Sequence, residues 1–142
     1  MNIELSNESG VVINEANIIN VAEYAMRHMG LNEGCDLAIS IVDESRMSEL
    51  HEEWLNLKGP TDVLSFPMDE VLPNAPDPGI VGDIVLCPQF AQAQATNGLE
   101  PELHLLTIHG LLHCLGYDHA IVGEEKVMFE LQESILAKWQ AR

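Results

Sequence analysis

Residues 107–119 read T-I-H-G-L-L-H-C-L-G-Y-D-H, and the histidines in this stretch have the spacing of metal ligands. His109 and His113 are four residues apart, which on a helix puts both imidazoles on one face, one turn apart. His119 follows six residues after His113. On an unbroken helix it would lie about 9 Å further along the axis and well around the cylinder, out of reach of the other two. Gly116 resolves the conflict, because glycine takes the left-handed conformation that ends a helix and turns the chain back. The expected object is a helix bearing two histidines, a glycine stop, and a third histidine folded back beside them. Three neutral imidazoles around one ion leave a fourth position open for water, as catalytic zinc requires.

The same histidine and glycine positions occur in the zinc-peptidase pattern H-E-x-x-H-x-x-G-x-x-H. The position after the first histidine is Gly110 here, whereas peptidases carry there the glutamate that serves as general base. A zincin-like ligand scaffold without that base disfavours peptide hydrolysis. Metal-assisted hydrolysis of other bonds survives the loss, since zinc-bound water ionises near pH ~7.

Several elements must position these residues. Leu103, Leu105, Leu106, Ile108, Leu111, Leu112 and Leu115 surround the histidine-bearing segment, so a helix opening near Glu100-Pro101 should be buried nearly all round and central to the fold. Ile3 and Leu5 alternate with polar neighbours as in a short strand. Asn14 caps a helix whose apolar stripe runs from Ile18 to Met29 and which stops at Gly30. The stretch 35–42 reads as a buried strand. Asp43 caps a second helix reaching about Leu55, with Met47, Leu50, Trp54 and Leu55 as its inner side. His51 is expected in core or surface rather than as a ligand. Gly59-Pro60 turns the chain into a strand over 61–66. The four prolines of 67–78 mark a loop, a solvated connector or a flap beside the site. A strand over 82–87 and a short helix from Pro88 follow. The closing helix, 123–139, has Val127, Met128, Leu131, Ile135, Leu136 and Trp139 inward. This order predicts an α+β fold, one small mixed β-sheet covered by helices with a zincin-like central metal helix, in a single domain spanning 1–142.

Composition limits the partners. With 142 residues, 46% of them hydrophobic, the chain is long enough for one domain with a real core. No apolar run approaches the roughly 18 residues of a membrane span, and residues 1–10 lack the charged and apolar regions of a signal peptide. The expectation is a soluble, cytoplasmic protein without a membrane partner. The three cysteines, Cys35, Cys87 and Cys114, form no C-x-x-C pair and suggest neither a disulfide framework nor a thiolate zinc site. A net charge of −17 argues against an extensive basic nucleic-acid footprint. It leaves room for a small local patch, or for a substrate presented by a larger basic assembly.

Two stretches together resemble one family. His109 to His119, H-G-L-L-H-C-L-G-Y-D-H, and Pro60 to Pro67, P-T-D-V-L-S-F-P, are similar to the signatures of the bacterial YbeY family, and Gly82 to Leu86, G-D-I-V-L, fits the strand between them. The resemblance extends over nearly the whole chain. It implies a single-domain, metal-dependent endoribonuclease of ribosomal RNA maturation, especially at the 3′ end of small-subunit rRNA, and of ribosome quality control. It also implies one zinc-type ion on His109, His113 and His119. Ribosomal RNA is the implied partner, together with the ribosome or its assembly proteins; DNA is not. Many members carry an arginine in a longer segment before P-T-D-V-L-S-F-P. Here that segment is short and offers only Lys58, a point charge without the bidentate fork, as the candidate phosphate contact among catalytic residues. Asp118 either orients a histidine or caps the turn, and Thr61, Asp62 and Ser65 either line the site or end the strand. The nucleophile is an activated water or the RNA 2′-hydroxyl. The competing readings are a metallohydrolase acting on a small molecule or peptide, and a non-catalytic ribosome-associated factor with a structural metal.

Overall fold

A computed structural model describes residues 1–118 and 122–142. Its elements run β1 (Asn2–Asn7), α1 (Glu15–His28), β2 (Asp36–Ile41), α2 (Glu44–Leu55), β3 (Val63–Pro67), β4 (Ile80–Leu86), α3 (Pro88–Gln94), α4 (Leu99–Cys114) and α5 (Val122–Gln140). The strands form one sheet in the order β1-β2-β4-β3. β1 and β4 both pair parallel with β2, and β3 pairs antiparallel with β4, so the sheet is mixed and β3 is an edge. Parallel neighbours need crossovers, which α1 supplies between β1 and β2.

Local signals set the boundaries. The Asn14 side chain accepts from the Asn17 amide at 3.1 Å and Asp43 accepts from the Arg46 amide at 2.8 Å, so both expected N-caps satisfy an orphan donor of the first turn. At the end of α4, Gly116 has φ of 97°. Its amide donates to the His113 carbonyl and the Tyr117 amide to the Leu112 carbonyl, both at 3.0 Å. These paired bonds make a left-handed helix stop that satisfies the last carbonyls.

The core lies on one face of the sheet, under α1, α4 and α5. Ile39, Ile41, Ile84 and Leu86 meet Ile18 and Met26 of α1, Ile108, Leu111 and Leu112 of α4, and Met128 and Ile135 of α5. Leu111 and Leu112 are fully buried on successive positions of α4; each such leucine stabilises by about 1.5–3 kcal/mol. The expectation of a central helix buried nearly all round is met. The opposite face carries a much smaller cluster, Val42, Met47, Leu64, Val85 and Cys87.

Three expectations are corrected. Trp54 and Leu55, expected on the inner side of α2, are 61% and 51% exposed, because the outer sheet face offers only that small cluster and Met47 fills it. Val127 is exposed, since α5 buries a narrower stripe through Met128, Gln132, Ile135 and Trp139. The proline-rich loop is no flap. The Asn74 amide donates to Met29 O at 3.0 Å, the Asn32 side chain donates to Pro76 O at 2.7 Å, and Val71 enters the main core, so the segment is fastened to the turn after α1.

Candidate metal centre

His109 and His113 project from one side of α4, half-buried, with ring centroids 4.6 Å apart and planes at 79°. That edge-on proximity is what positions four apart on a helix allow. α5 supplies their setting from behind. His109 Nδ1–H donates to Gln132 Oε1 at 2.8 Å, and the Phe129 ring lies alongside His109 at 6.3 Å. An amide oxygen can only accept, so this bond fixes the tautomer and puts the lone pair of the neutral ring on Nε2. A histidine whose far nitrogen is anchored in this way is the usual form of a metal-ligating imidazole.

The two histidines line a groove of about 820 Å³ whose opposite wall is the start of β3 and the end of α2. Thr61, Asp62 and Ser65 all lie on that wall, so their site-lining reading is the one the geometry favours. Asp62 is held firmly: Oδ1 accepts from the Val63 amide at 2.8 Å and Oδ2 accepts from Gln94 Nε2 of α3 at 2.5 Å. The wall stands this close because position 110 is glycine. A Cβ there would fall 2.9 Å from Ile84 Cγ2 and 3.1 Å from Ser65 Oγ. The absent peptidase glutamate thus has a steric counterpart, for any side chain there would press on Ile84 and Ser65.

Of the other expected residues, Asp118 and Tyr117 line the groove, whereas Lys58 is exposed and not among its lining residues. His119 lies outside the described residues. Cys114, beside His113, is buried against the sheet, and burial first, then the Asp83 charge, pushes its thiol up to about 12. It is a neutral core side chain and no thiolate ligand. His104 is also no ligand: it is buried against Trp139, ring centroids 4.8 Å apart.

Two site residues escaped the sequence reading. Gln132 is a polar residue in the buried stripe of α5, four after Met128 and three before Ile135, and that misplacement was a readable signal. His51, taken as core or surface, lines the groove, with Nδ1–H donating to Gly59 O at 2.9 Å.

Chemically, the described donors suit an ion that prefers nitrogen. Two neutral imidazoles about one helical turn apart, one of them oriented by an amide, fit zinc or a similar borderline metal better than magnesium or calcium, which favour oxygen.

Comparison with known proteins bears on the same residues. The family model described as Endoribonuclease YbeY matches residues 3–140. A Corynebacterium kroppenstedtii protein named Endoribonuclease YbeY is 53% identical, over 98% of this chain and 74% of its own length. One of the same name from Mycobacterium sp. (strain KMS) is 50% identical, over 99% of this chain and 85% of its own. Among solved structures, the solution structure of TM1509 from Thermotoga maritima superimposes with a TM-score of 0.65 at 26% identity, covering 98% of this chain and 92% of that one.

Proposed function

This chain belongs to the YbeY family of endoribonucleases and is an enzyme that cuts RNA internally; from that premise we propose that it matures ribosomal RNA, at the 3′ end of the small-subunit species, with one zinc ion held by His109, His113 and His119. The observation that carries this reading is the His109–His113 pair on the groove side of α4, with Gln132 fixing the tautomer of the first ring.

When bound, the ion supplies Lewis acidity to a phosphoryl oxygen and lowers the pKa of a water molecule. The chain's own residues do the remaining work. Gln132 orients the His109 ring and makes Nε2 the lone-pair nitrogen of its neutral form. Thr61 and Ser65 place hydroxyl donors on the facing wall, within the same groove as both histidines. Asp62, tied to the Val63 amide and Gln94, holds the turn that carries Thr61 and leads into β3. Lys58, next to that turn, neutralises a flanking phosphate. Water is the proposed nucleophile, and a 2′,3′-cyclic phosphate on the product would instead assign attack to the RNA 2′-hydroxyl. The ribosome or its assembly factors present the substrate, which offsets the poor intrinsic attraction of a chain with charge −17 for polyanions.

His113→Ala with metal analysis and cleavage of precursor small-subunit rRNA tests the proposal. Loss of metal and of cleavage with helical content retained is the expected result. Global unfolding of the variant would point to a structural ion. Cleavage equal to wild type, from identically purified protein, would assign the activity to a contaminant and sink the reading.

A further inference from the structure

α2 and β3 each have two working sides. Along α2, His51 and Leu55 line the histidine groove, while Leu50 and Trp54 line a second groove of about 650 Å³ on the outer sheet face. Along β3, Ser65 faces α4 and Phe66 faces outward beside Trp54, and Pro67 belongs to the walls of both grooves. The second groove therefore meets the histidine groove at Pro67, on the sheet edge.

Trp54 is the conspicuous residue there. Its ring meets Phe66 edge-on, centroids 6.0 Å apart and planes at 65°, yet it remains 61% exposed. Tryptophan is on average among the well-buried residues. Met68, which lines the same groove, is also more than half exposed, so the indole is not the only exposed apolar side chain there.

The charge of the surroundings narrows the occupant. Arg46, the cation of this groove, is paired with Glu49 at 3.0 Å, and Glu8 and Asp83 share the lining. Phosphate attraction is weak at such a surface. What the groove offers a nucleic acid is an aromatic face, and base–aromatic stacking is tolerant of sequence because every base has a π-face. Bases inside a duplex are already stacked on one another and have no face to give.

Accepting the endoribonuclease reading, we propose that Trp54, supported by Phe66, is a stacking platform for one unpaired base of the RNA, next to the segment lying in the histidine groove. The ring adds affinity for that base without a basic surface.

The test uses the metal-loaded enzyme. Trp54→Ala should raise KM for an unstructured RNA about tenfold and leave kcat within about twofold, and Trp54→Phe should lose less. Trp139, the other tryptophan, is only 6% exposed, so quenching of indole fluorescence by oligouridylate, read by rapid mixing before turnover, should vanish in Trp54→Ala, and the matching duplex should quench little. An unchanged KM in Trp54→Ala, equal losses in the Ala and Phe variants, or equal quenching by duplex would each overturn the platform. Failure of the underlying reading looks different: wild type would cleave no RNA, and quenching by the uncleaved oligonucleotide would still decide whether Trp54 stacks.

Discussion

Gln132 of α5 accepts a hydrogen bond from His109 Nδ1 of α4 at 2.8 Å, and the glutamine is itself only 7% exposed. A buried amide that holds a histidine by its far nitrogen acts on whatever the near nitrogen binds. Gln132→Ala should therefore weaken metal binding about 10- to 100-fold, while Gln132→Glu, which can accept the same bond, should retain it. Competition with a chromogenic chelator measures both. An alanine variant with wild-type affinity would remove Gln132 from the site.

Gly110 sets the distance between the metal-bearing helix and the sheet. Alanine would gain about 1 kcal/mol in helix propensity, but its methyl would stand 2.9 Å from the buried Ile84 side chain. Overpacking costs about 1–3 kcal/mol, so a net loss of stability is expected for Gly110→Ala and a larger one for Gly110→Glu. The glutamate variant should show no peptidase activity. A urea midpoint above wild type for the alanine variant would contradict the packing argument.

His104 sits in the core with its Nε2 3.8 Å from Glu100 Oε2, and Trp139 of α5 covers its ring, with Arg142 stacked beyond. Burial lowers its pKa more than the Glu100 carboxylate raises it. The unfolded chain then binds the proton more readily, so stability is complete above the ordinary histidine value of about 6.5 and declines as pH falls through it. Tm should drop between about pH 7 and pH 5, with a shallower drop in His104→Phe. Some slope should persist, because burial also lowers His28. Parallel Tm profiles for variant and wild type would exclude His104 as the cause.

Lys58 is exposed beside the turn that precedes β3. If it neutralises one phosphate, Lys58→Ala should leave metal content unchanged, weaken RNA cleavage, and reduce the slope of log affinity against log salt by about 1. An unaltered salt slope would leave Lys58 as a solvated loop residue.

Much of this was legible in the chain because the signals were local. Asn14, Asp43 and Gly116 each act on backbone groups within a few residues, so cap and stop followed from residue type. The all-round apolar sequence of α4 foretold its central place. What eluded the sequence depended on partners distant along the chain. Periodicity placed Trp54 on the same side as Met47, but only the sheet's extent decides that Met47 is covered and Trp54 is not. Gln132 acquires meaning only once α5 is laid over His109, and His51 only once the turn at Gly59 folds back upon it. The absence of a side chain at Gly110 read as a missing base; the contact with Ile84 shows it is also a spacer.

The order of elements governs when this chain becomes dangerous to RNA. All four strands precede α4, and α5 is the final element. A growing polypeptide can assemble its sheet early, yet a helix greasy on every side has no home for its last flank until α5 arrives. The cutting centre therefore matures only once α5 has been made and laid over α4.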